Sequence, residues 1–140
     1  IDKLILISKL IDGNFPDYTR VIPKNNNNDL IINRENLLSA VDRVSTIANE
    51  KSPSIKFKLL ENLINLSSVN SENSTATEDI KSNYNGNEIE IGFNSRYIMD
   101  ILDNLEAKEI KISFNDNASP IMIQEKIDSE NIYVLMPMRV

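Results

Sequence analysis

Apolar residues recur at two different periods along the chain, which predicts both helices and strands. From Asn33 to Pro53 they recur every three or four residues, as in an amphipathic helix that Asn33 caps and that ends before Pro53. The predicted buried stripe of this helix comprises Leu37, Val41, Val44 and Ala48, with Leu38 and Ile47 on its flanks. A second helix is predicted after a cap at Asn94, with a buried stripe of Tyr97, Ile98, Ile101, Leu102 and Leu105.

Residues that alternate in polarity mark the predicted strands. The period changes from helical to two at Ser54, and residues 55–60 and 63–68 form a predicted hairpin around Glu61-Asn62. The other predicted strands cover residues 3–8, 76–84, 88–93, 110–114, 121–124 and 132–136. Turn-forming residues interrupt the pattern at residues 13–17, 85–86, 115–117 and 128–129.

The order of these elements predicts an α+β fold. Apart from the strand over residues 88–93, which runs directly into the second helix, the order is helix, three strands, helix and three strands. These form two similar α-βββ halves, which favours pseudo-symmetric packing of two helices on an antiparallel sheet. A chain of 140 residues suits one domain with a sizeable core.

Composition excludes several kinds of chemistry. Cys and His are absent, so disulfides, thiolate nucleophiles, Ser-His dyads and the usual zinc ligands are excluded. Three glycines are too few for a Gly-rich phosphate loop, and we expect no metal, cofactor or catalytic motif. Glu88 and Glu90 share one face of a strand, as a glycosidase carboxylate pair could, but a polar outer face beside buried Ile89 and Ile91 explains them better.

Charge and hydropathy bear on location and partners. No apolar run is long enough to cross a bilayer and the start lacks a signal-peptide pattern, so we expect a cytoplasmic protein without membrane contact. Ile1 in place of Met suggests a piece of a longer chain. A net charge of −6 argues against an electrostatic grip on nucleic acid. The predicted outer faces of the helices carry Glu35, Ser39, Asp42, Arg43, Thr46 and Glu50, and Arg96, Met99, Asp100, Asp103 and Glu106, so neither face is basic.

Two segments have the chemistry of a peptide groove. The tail places Met136, Pro137, Met138 and Arg139 directly after an apolar run, and residues 15–21 combine an aromatic residue, a proline, an Arg and a Val. Polarizable Met side chains with an orienting Arg suit apolar peptide anchors. The alternative for the tail is a final core strand with a frayed end.

Four blocks in register carry a resemblance to a known family. Residues 10–25, the triplet Asn49-Glu50-Lys51, the block IEIGFN at residues 89–94 and the tail from residue 133 to residue 140 resemble the C-terminal third of the bacterial β sliding clamps, the processivity factors of DNA polymerase III. The resemblance implies that residues 1–18 are the last strand of a preceding domain and a linker, and that residues 19–140 are the C-terminal clamp domain. It also implies a ring with helices inside and sheets outside, which encircles duplex DNA without catalysis.

The resemblance further implies partners and site residues. In the family a cleft receives short motifs from the polymerase catalytic subunit, the clamp loader and repair proteins. That cleft maps onto Pro16, Arg20, Val21, Asn94, Tyr97, Ala118, Pro120, Val134, Leu135, Met136, Pro137, Met138 and Arg139. The head-to-tail homodimer surface maps onto Thr46, Ile47, Glu72 and Glu78, and possible DNA-facing cations are Arg43 and Arg96. A hydrolase using Glu88 and Glu90, or a stand-alone peptide-binding module, are the alternatives.

Overall fold

Two α-helices, one short 3-10 helix and eight strands form within residues 5–14, 16–49, 53–125 and 131–139, which are the residues that the computed structural model describes. In chain order they are the 3-10 helix Tyr18–Arg20, β1 (Asn28–Asn33), α1 (Arg34–Ser45), β2 (Ser54–Leu60), β3 (Leu63–Val69), β4 (Thr75–Lys81), β5 (Ile89–Asn94), α2 (Ser95–Asp103), β6 (Glu109–Phe114), β7 (Ile121–Glu125) and β8 (Ile132–Leu135). Both predicted helices and the hairpin around Glu61-Asn62 are confirmed, but the helices end before the last residues of their predicted stripes, Ala48 and Leu105. Neither α-helix of the described residues is long and apolar enough to span a membrane.

The strands form two four-stranded antiparallel sheets, with the orders β1-β6-β7-β8 and β4-β3-β2-β5. The chain contains two β-α-β-β-β repeats, the first from β1 to β4 and the second from β5 to β8. The first strand of each repeat pairs in the sheet formed by the other repeat. The predicted α+β fold, with two helices packed on antiparallel strands in two similar halves, is confirmed. Two details differ from the prediction, because β1 was not predicted and the strands form two sheets rather than one.

Strand β1 was not predicted because the residues on both sides of it obscure its pattern. Four asparagines precede its apolar residues and the helix cap Asn33 follows them directly, so little alternation is visible. Leu30 and Ile32 are nevertheless buried, and β1 pairs with β6 over its whole length.

Each helix begins in the same way, immediately after the first strand of its repeat. The side chain of Asn33 accepts a hydrogen bond from the Asn36 N–H at 2.9 Å, and that of Asn94 accepts one from the Arg96 N–H at 3.0 Å. Both predicted N-caps are confirmed. The first helical N–H groups donate across the molecule, from Arg34 to the Lys108 carbonyl and from Ser95 to the Pro53 carbonyl, each at 3.0 Å. The two repeats are thus tied together at both helix starts.

The core lies between the two helices and the inner faces of the sheets. Leu37 and Val41 of α1 and Ile98 and Leu102 of α2 are fully buried, and the sheets contribute pairs such as Phe57 and Phe93, whose rings meet edge to face at 5.1 Å. Burying an aliphatic or aromatic side chain of this size contributes about 1.5–3 kcal/mol, so this shared core is the main source of stability.

Two predictions about α2 were wrong. Tyr97, predicted on the buried stripe, is 57% exposed, whereas Met99, predicted on the outer face, is partly buried against the core. The buried residues Ser95, Ile98 and Leu102 define the inner face of the helix, and at 100° per residue Tyr97 falls well to one side of it.

The predicted strand over residues 3–8 is absent in its described part. Ile5, Leu6 and Ile7 are 83–89% exposed and pair with no strand among the described residues. A strand needs a neighbour to take its backbone hydrogen bonds, and this segment has none there. Several predicted features lie outside the described residues. They are residues 3 and 4 of the predicted strand, Glu50 and Lys51 of the Asn49-Glu50-Lys51 motif, and the predicted turn at residues 128–129.

Single bridges join the two sheets at both edges. Ile31 and Asn83 exchange two backbone hydrogen bonds of 3.0 and 2.8 Å, which link β1 to the chain after β4. At the opposite edge the Met138 N–H donates to the Gly92 carbonyl at 2.9 Å, which links the tail after β8 to β5. The second bridge fixes the position of the tail on the surface.

Candidate peptide-binding site

A cleft of about 560 Å³ lies between the segment before β1 and the loop that joins β6 to β7. We name it the linker cleft. Its walls are formed by Thr19, Arg20, Val21, Ile22, Pro23, Lys24, Asn25, Asn26, Asn115, Ser119 and Pro120. Three of the predicted peptide-binding residues, Arg20, Val21 and Pro120, therefore lie together, although they are separated by about a hundred positions in the sequence.

The 3-10 helix gives the first wall of the linker cleft its shape. The Asp17 carboxylate accepts hydrogen bonds from the Thr19 backbone N–H at 3.1 Å and from the Thr19 hydroxyl at 2.6 Å, and it lies 3.4 Å from the Arg20 guanidinium. The bonds from Thr19 hold the pKa of Asp17 below its usual range. Arg20 and Val21 remain exposed at the cleft. The turn thus presents a cation beside an apolar side chain.

Asn26 fastens this first wall to the second. Its side-chain amide donates to the Ser113 carbonyl at 2.9 Å and to the Pro120 carbonyl at 3.1 Å. These two bonds reach both ends of the β6–β7 loop, so the distance across the cleft is set by hydrogen bonds as well as by packing.

The β6–β7 loop is held by one carboxylate. Asp116 accepts bonds from the Ala118 N–H at 2.8 Å, the Ser119 N–H at 2.6 Å and the Ser119 hydroxyl at 2.8 Å. These donors, led by the Ala118 N–H, lower the pKa of Asp116 to about 2. The loop conformation that presents Ala118 and Pro120 therefore depends on an ionised Asp116.

A second cleft, of about 480 Å³, lies on the other side of the same loop. We name it the tail cleft, and it is lined by Lys56, Glu90, Gly92, Asn117, Ala118, Met138 and Arg139. The backbone bond from Met138 to Gly92 positions the tail as one wall. Three more predicted residues, Ala118, Met138 and Arg139, are brought together here.

The other predicted peptide-binding residues line neither cleft. These are Pro16, Asn94, Tyr97, Val134, Leu135, Met136 and Pro137. Leu135 is buried in the core and Val134 is half-buried in β8, opposite Met122 of β7. Tyr97 and Met136 are 57% and 59% exposed, so both offer apolar surface to a ligand. The tail thus combines the two alternatives considered from sequence, because its strand is core and the residues after the strand are surface.

Sequence reasoning missed Lys56, Glu90, Asn117 and Asn26 as residues of the clefts. Lys56 lies opposite Gly92 in the pairing of β2 with β5, so a charged side chain stands beside a position that has none. The alternation of polar and apolar residues in β2 was enough to predict that Lys56 faces outward. That it lies beside Gly92 follows only from the pairing of β2 with β5, which the sequence does not show.

One predicted DNA-facing residue, Arg43, forms an ion pair with one predicted dimer residue, Glu78. The Arg43 guanidinium of α1 binds both carboxylate oxygens of Glu78 on β4, with an Nε–Oε2 distance of 2.9 Å. This bond raises the pKa of Arg43 and lowers that of Glu78. Thr46, the C-cap of α1, donates its hydroxyl to the Asp42 carbonyl.

The remaining residues predicted for these surfaces are accessible to differing degrees. Ile47 is half-buried, Glu72 is exposed in the turn after β3, and Arg96 is exposed at the start of α2.

The hydrolase alternative loses its support. Glu88 lies 2.7 Å from the Lys58 ammonium and Glu90 lies 3.2 Å from that of Lys56, so both carboxylates are ion-paired on an exposed sheet face. Exposed ion pairs with lysines are typical of the polar outer face of a sheet, so both carboxylates have a structural explanation. Among the residues that the structure describes, no three acidic side chains are grouped closely enough to hold a metal ion.

Comparison with known proteins gives a consistent result. Residues 19–139 match the sequence model of the family described as "DNA polymerase III beta subunit, C-terminal domain". The beta sliding clamp of Caulobacter vibrioides is 42% identical over 135 residues, covering 96% of this chain and 36% of the relative. That of Haemophilus influenzae is 40% identical over 139 residues, covering 99% of this chain and 38% of the relative.

Solved structures agree in fold. The crystal structure of the sliding clamp from Pseudomonas aeruginosa bound to griselimycin matches with a TM-score of 0.91 and 34% identity, over 95% of this chain and 36% of that one. Caulobacter crescentus pol III beta matches with a TM-score of 0.90 and 42% identity, over the same shares. The chain thus spans little more than a third of the length of its relatives, and the resemblance inferred from sequence is confirmed. With a family match that extends over most of its length, the chain belongs to the DNA polymerase III beta subunits and corresponds to their C-terminal domain.

Proposed function

We propose that the chain is the C-terminal part of a sliding-clamp subunit that acts without catalysis in the cytoplasm. Two copies of the whole subunit form a ring that encircles duplex DNA and tethers the catalytic subunit of DNA polymerase III for processive synthesis. Support comes from the family membership and from relatives named as beta sliding clamps, of which this chain covers about a third.

The ring holds DNA by enclosure rather than by charge. The chain has a net charge of −6, and the exposed faces of α1 and α2 mix acidic residues with few cations. Arg43, one of those cations, is already bound to Glu78. A gel-shift experiment at low salt should therefore show no binding of the chain to linear duplex DNA beyond that of an unrelated acidic protein. Tight binding with a steep salt dependence would contradict this part of the proposal.

The linker cleft and the tail cleft together bind short peptide motifs of polymerases, the clamp loader and repair proteins. The observation that carries this proposal is the convergence of three distant segments, the one before β1, the β6–β7 loop and the tail, on two clefts that share one loop wall. Val21, Pro120, Ala118 and Met138 supply apolar surface, and Met adapts to differing anchors. Arg20 and Arg139 supply charges that orient the peptide.

Calorimetric titration with a short peptide carrying apolar residues at its C-terminal end tests this proposal. Deletion of residues 136–140 and the substitution Val21→Asp should each weaken binding by about tenfold or more, since each removes or charges an apolar wall. Val69→Asp is the matched control, because Val69 is 53% exposed against 60% for Val21 and lines neither of the two clefts. Equal binding by the truncated chain and the unmodified chain would remove the groove assignment.

The ring interface is proposed for the end of α1 and the edge strand β4. A head-to-tail contact joins two different surfaces, so this chain should sediment as a monomer at micromolar concentration. The full-length subunit should sediment as a dimer that Ile47→Asp weakens. A stable dimer of the chain that survives Ile47→Asp would place association on another surface.

A further inference from the structure

The tail cleft has a local charge opposite to that of the whole chain. Lys56 and Arg139 line it with a single carboxylate, Glu90, whereas the chain carries a net charge of −6. Arg139 is exposed and forms no ion pair with any residue that the structure describes. The cleft therefore has spare positive charge beside the apolar surface of Ala118 and Met138.

Lys56 is held by a contact that an incoming anion can replace. Its ammonium lies 3.2 Å from Glu90, and the two side chains are 37% and 49% exposed. Glu90 is shared with Lys58, at 4.0 Å, while Lys58 has a closer partner in Glu88 at 2.7 Å. An exposed pair of this kind contributes little on its own, so exchange of Glu90 for another carboxylate costs little.

We propose that the tail cleft binds acidic side chains that flank the apolar anchor of a bound peptide, with Lys56 and Arg139 as their partners. The proposal rests on the proposed peptide-binding function and adds a charge preference to it. Charge complementarity identifies the occupant, since two cations face one carboxylate beside an apolar wall, and Asn117 adds a side-chain amide to the same cleft. Partners with Asp or Glu next to their apolar anchor are preferred over partners with neutral residues there.

The test compares peptides that differ only in charge. One peptide has the apolar anchor with two Asp residues at its N-terminal end, another has them at its C-terminal end, and two controls carry Asn in place of Asp. Fluorescence anisotropy at low salt should show about three- to tenfold tighter binding of one acidic peptide than of its Asn control. The difference should shrink in 0.5 M salt because exposed charges are screened.

Matched substitutions on neighbouring positions locate the effect. Lys56→Gln should abolish most of the advantage of the acidic peptide over its Asn control. Lys58→Gln is the control, since Lys58 is two residues away on β2, equally exposed and outside the cleft. Glu90→Gln should increase the advantage because it frees Lys56, whereas Glu88→Gln should have little effect.

The outcomes separate this proposal from the function on which it rests. If the apolar anchor does not bind in any form, the proposed function and this inference fail together. If the anchor binds but acidic and Asn peptides bind equally, or if Lys58→Gln acts as strongly as Lys56→Gln, the peptide function stands and the charge preference is overturned. Displacement of the acidic peptide by a short single-stranded oligonucleotide would assign the cleft to nucleic acid and would also overturn the proposal.

Discussion

The two β-α-β-β-β repeats share a framework and differ in their loops. In both repeats an asparagine caps the helix, and the residue four positions later, Leu37 or Ile98, is fully buried. The connection after the first strand of each three-stranded meander differs. Between β2 and β3 it is a two-residue turn with Asn62 at a φ of 56°, a conformation that Asn tolerates. Between β6 and β7 it is the longer loop that Asp116 holds.

Both candidate clefts depend on that difference. Asn115, Ser119 and Pro120 of the β6–β7 loop line the linker cleft, and Asn117 and Ala118 line the tail cleft. The equivalent turn in the first repeat is too short to form such walls. The shared parts of the repeats therefore provide stability, and the part that one repeat lacks provides the proposed binding site.

The first repeat has its own distinctive contact. Arg43 of α1 binds Glu78 of β4, whereas Asn104, at the same distance from its helix cap, donates to the Asp100 carbonyl of its own helix at 2.7 Å. The Arg43–Glu78 pair thus ties the first helix to the edge strand of its repeat, whereas the side chain of Asn104 bonds within its own helix. This contact lies on the surface proposed for the ring interface.

The largest expected effect tests whether the two repeats contribute equally to stability. Leu37→Ala and Ile98→Ala should each lower the free energy of unfolding by about 2–5 kcal/mol, because both remove fully buried aliphatic groups at equivalent helix positions. Urea denaturation measures both values, and Val69→Ala, at an exposed position, should stay within about 0.5 kcal/mol of the unmodified chain. A cost below about 1 kcal/mol for one of the pair would contradict the equivalence.

A smaller effect separates the shared framework from the binding site. Asn33→Ala and Asn94→Ala should each cost about 1 kcal/mol of stability, since each removes a helix N-cap. Only Asn94→Ala should also weaken peptide binding, because the family resemblance maps Asn94 to the groove and Asn94 lies two residues after Gly92, which lines the tail cleft. Measuring peptide affinity well below the unfolding transition distinguishes the two roles. Equal weakening by Asn33→Ala would mean that affinity follows stability alone.

Features encoded by neighbouring residues were predictable from the sequence. The caps Asn33 and Asn94 and the Glu61-Asn62 hairpin follow from side-chain chemistry and spacing within a few positions. The resemblance to the family assigned Arg20 and Pro120 to one binding site. No local sequence pattern would have placed these two residues together.

Features that depend on distant pairing were not predictable. The exchange of β1 and β5 between the repeats brings together strands that are far apart in sequence, and nothing local specifies it. For the same reason Lys56 was not recognised as a cleft residue, since its neighbour across the tail cleft, Arg139, lies at the other end of the chain. Tyr97 was placed in the core because an aromatic residue near an apolar stripe is usually buried.

The loop that distinguishes the second repeat should be sensitive to acid. Asp116 has a folded-state pKa of about 2, below the ordinary 3.8, so its stabilising effect is complete above that ordinary value and is lost as pH falls towards about 2. Asp116→Asn should reduce stability and peptide affinity at neutral pH, and the stability difference from the unmodified chain should shrink between about pH 4 and pH 2. Denaturation across that range measures it, with a constant difference above about pH 6 as the internal control. A difference that persists unchanged at pH 2 would show that the carboxylate does not act through its charge.

The smallest expected effect concerns the contact that distinguishes the first repeat. Arg43→Gln should leave the free energy of unfolding nearly unchanged, because Arg43 is 59% exposed and water screens such pairs. The same substitution should raise the pKa of Glu78 towards its ordinary value, since the hydrogen bond from Arg43 is the main cause of its depression. NMR titration of the Glu78 carboxyl measures the shift. Lys58→Gln is the control and should leave the pKa of Glu78 unaltered, because Lys58 pairs with Glu88 and Glu90 instead. If the pKa of Glu78 stays low without Arg43, another group holds that carboxylate, and the first helix is not tied to its edge strand by this pair.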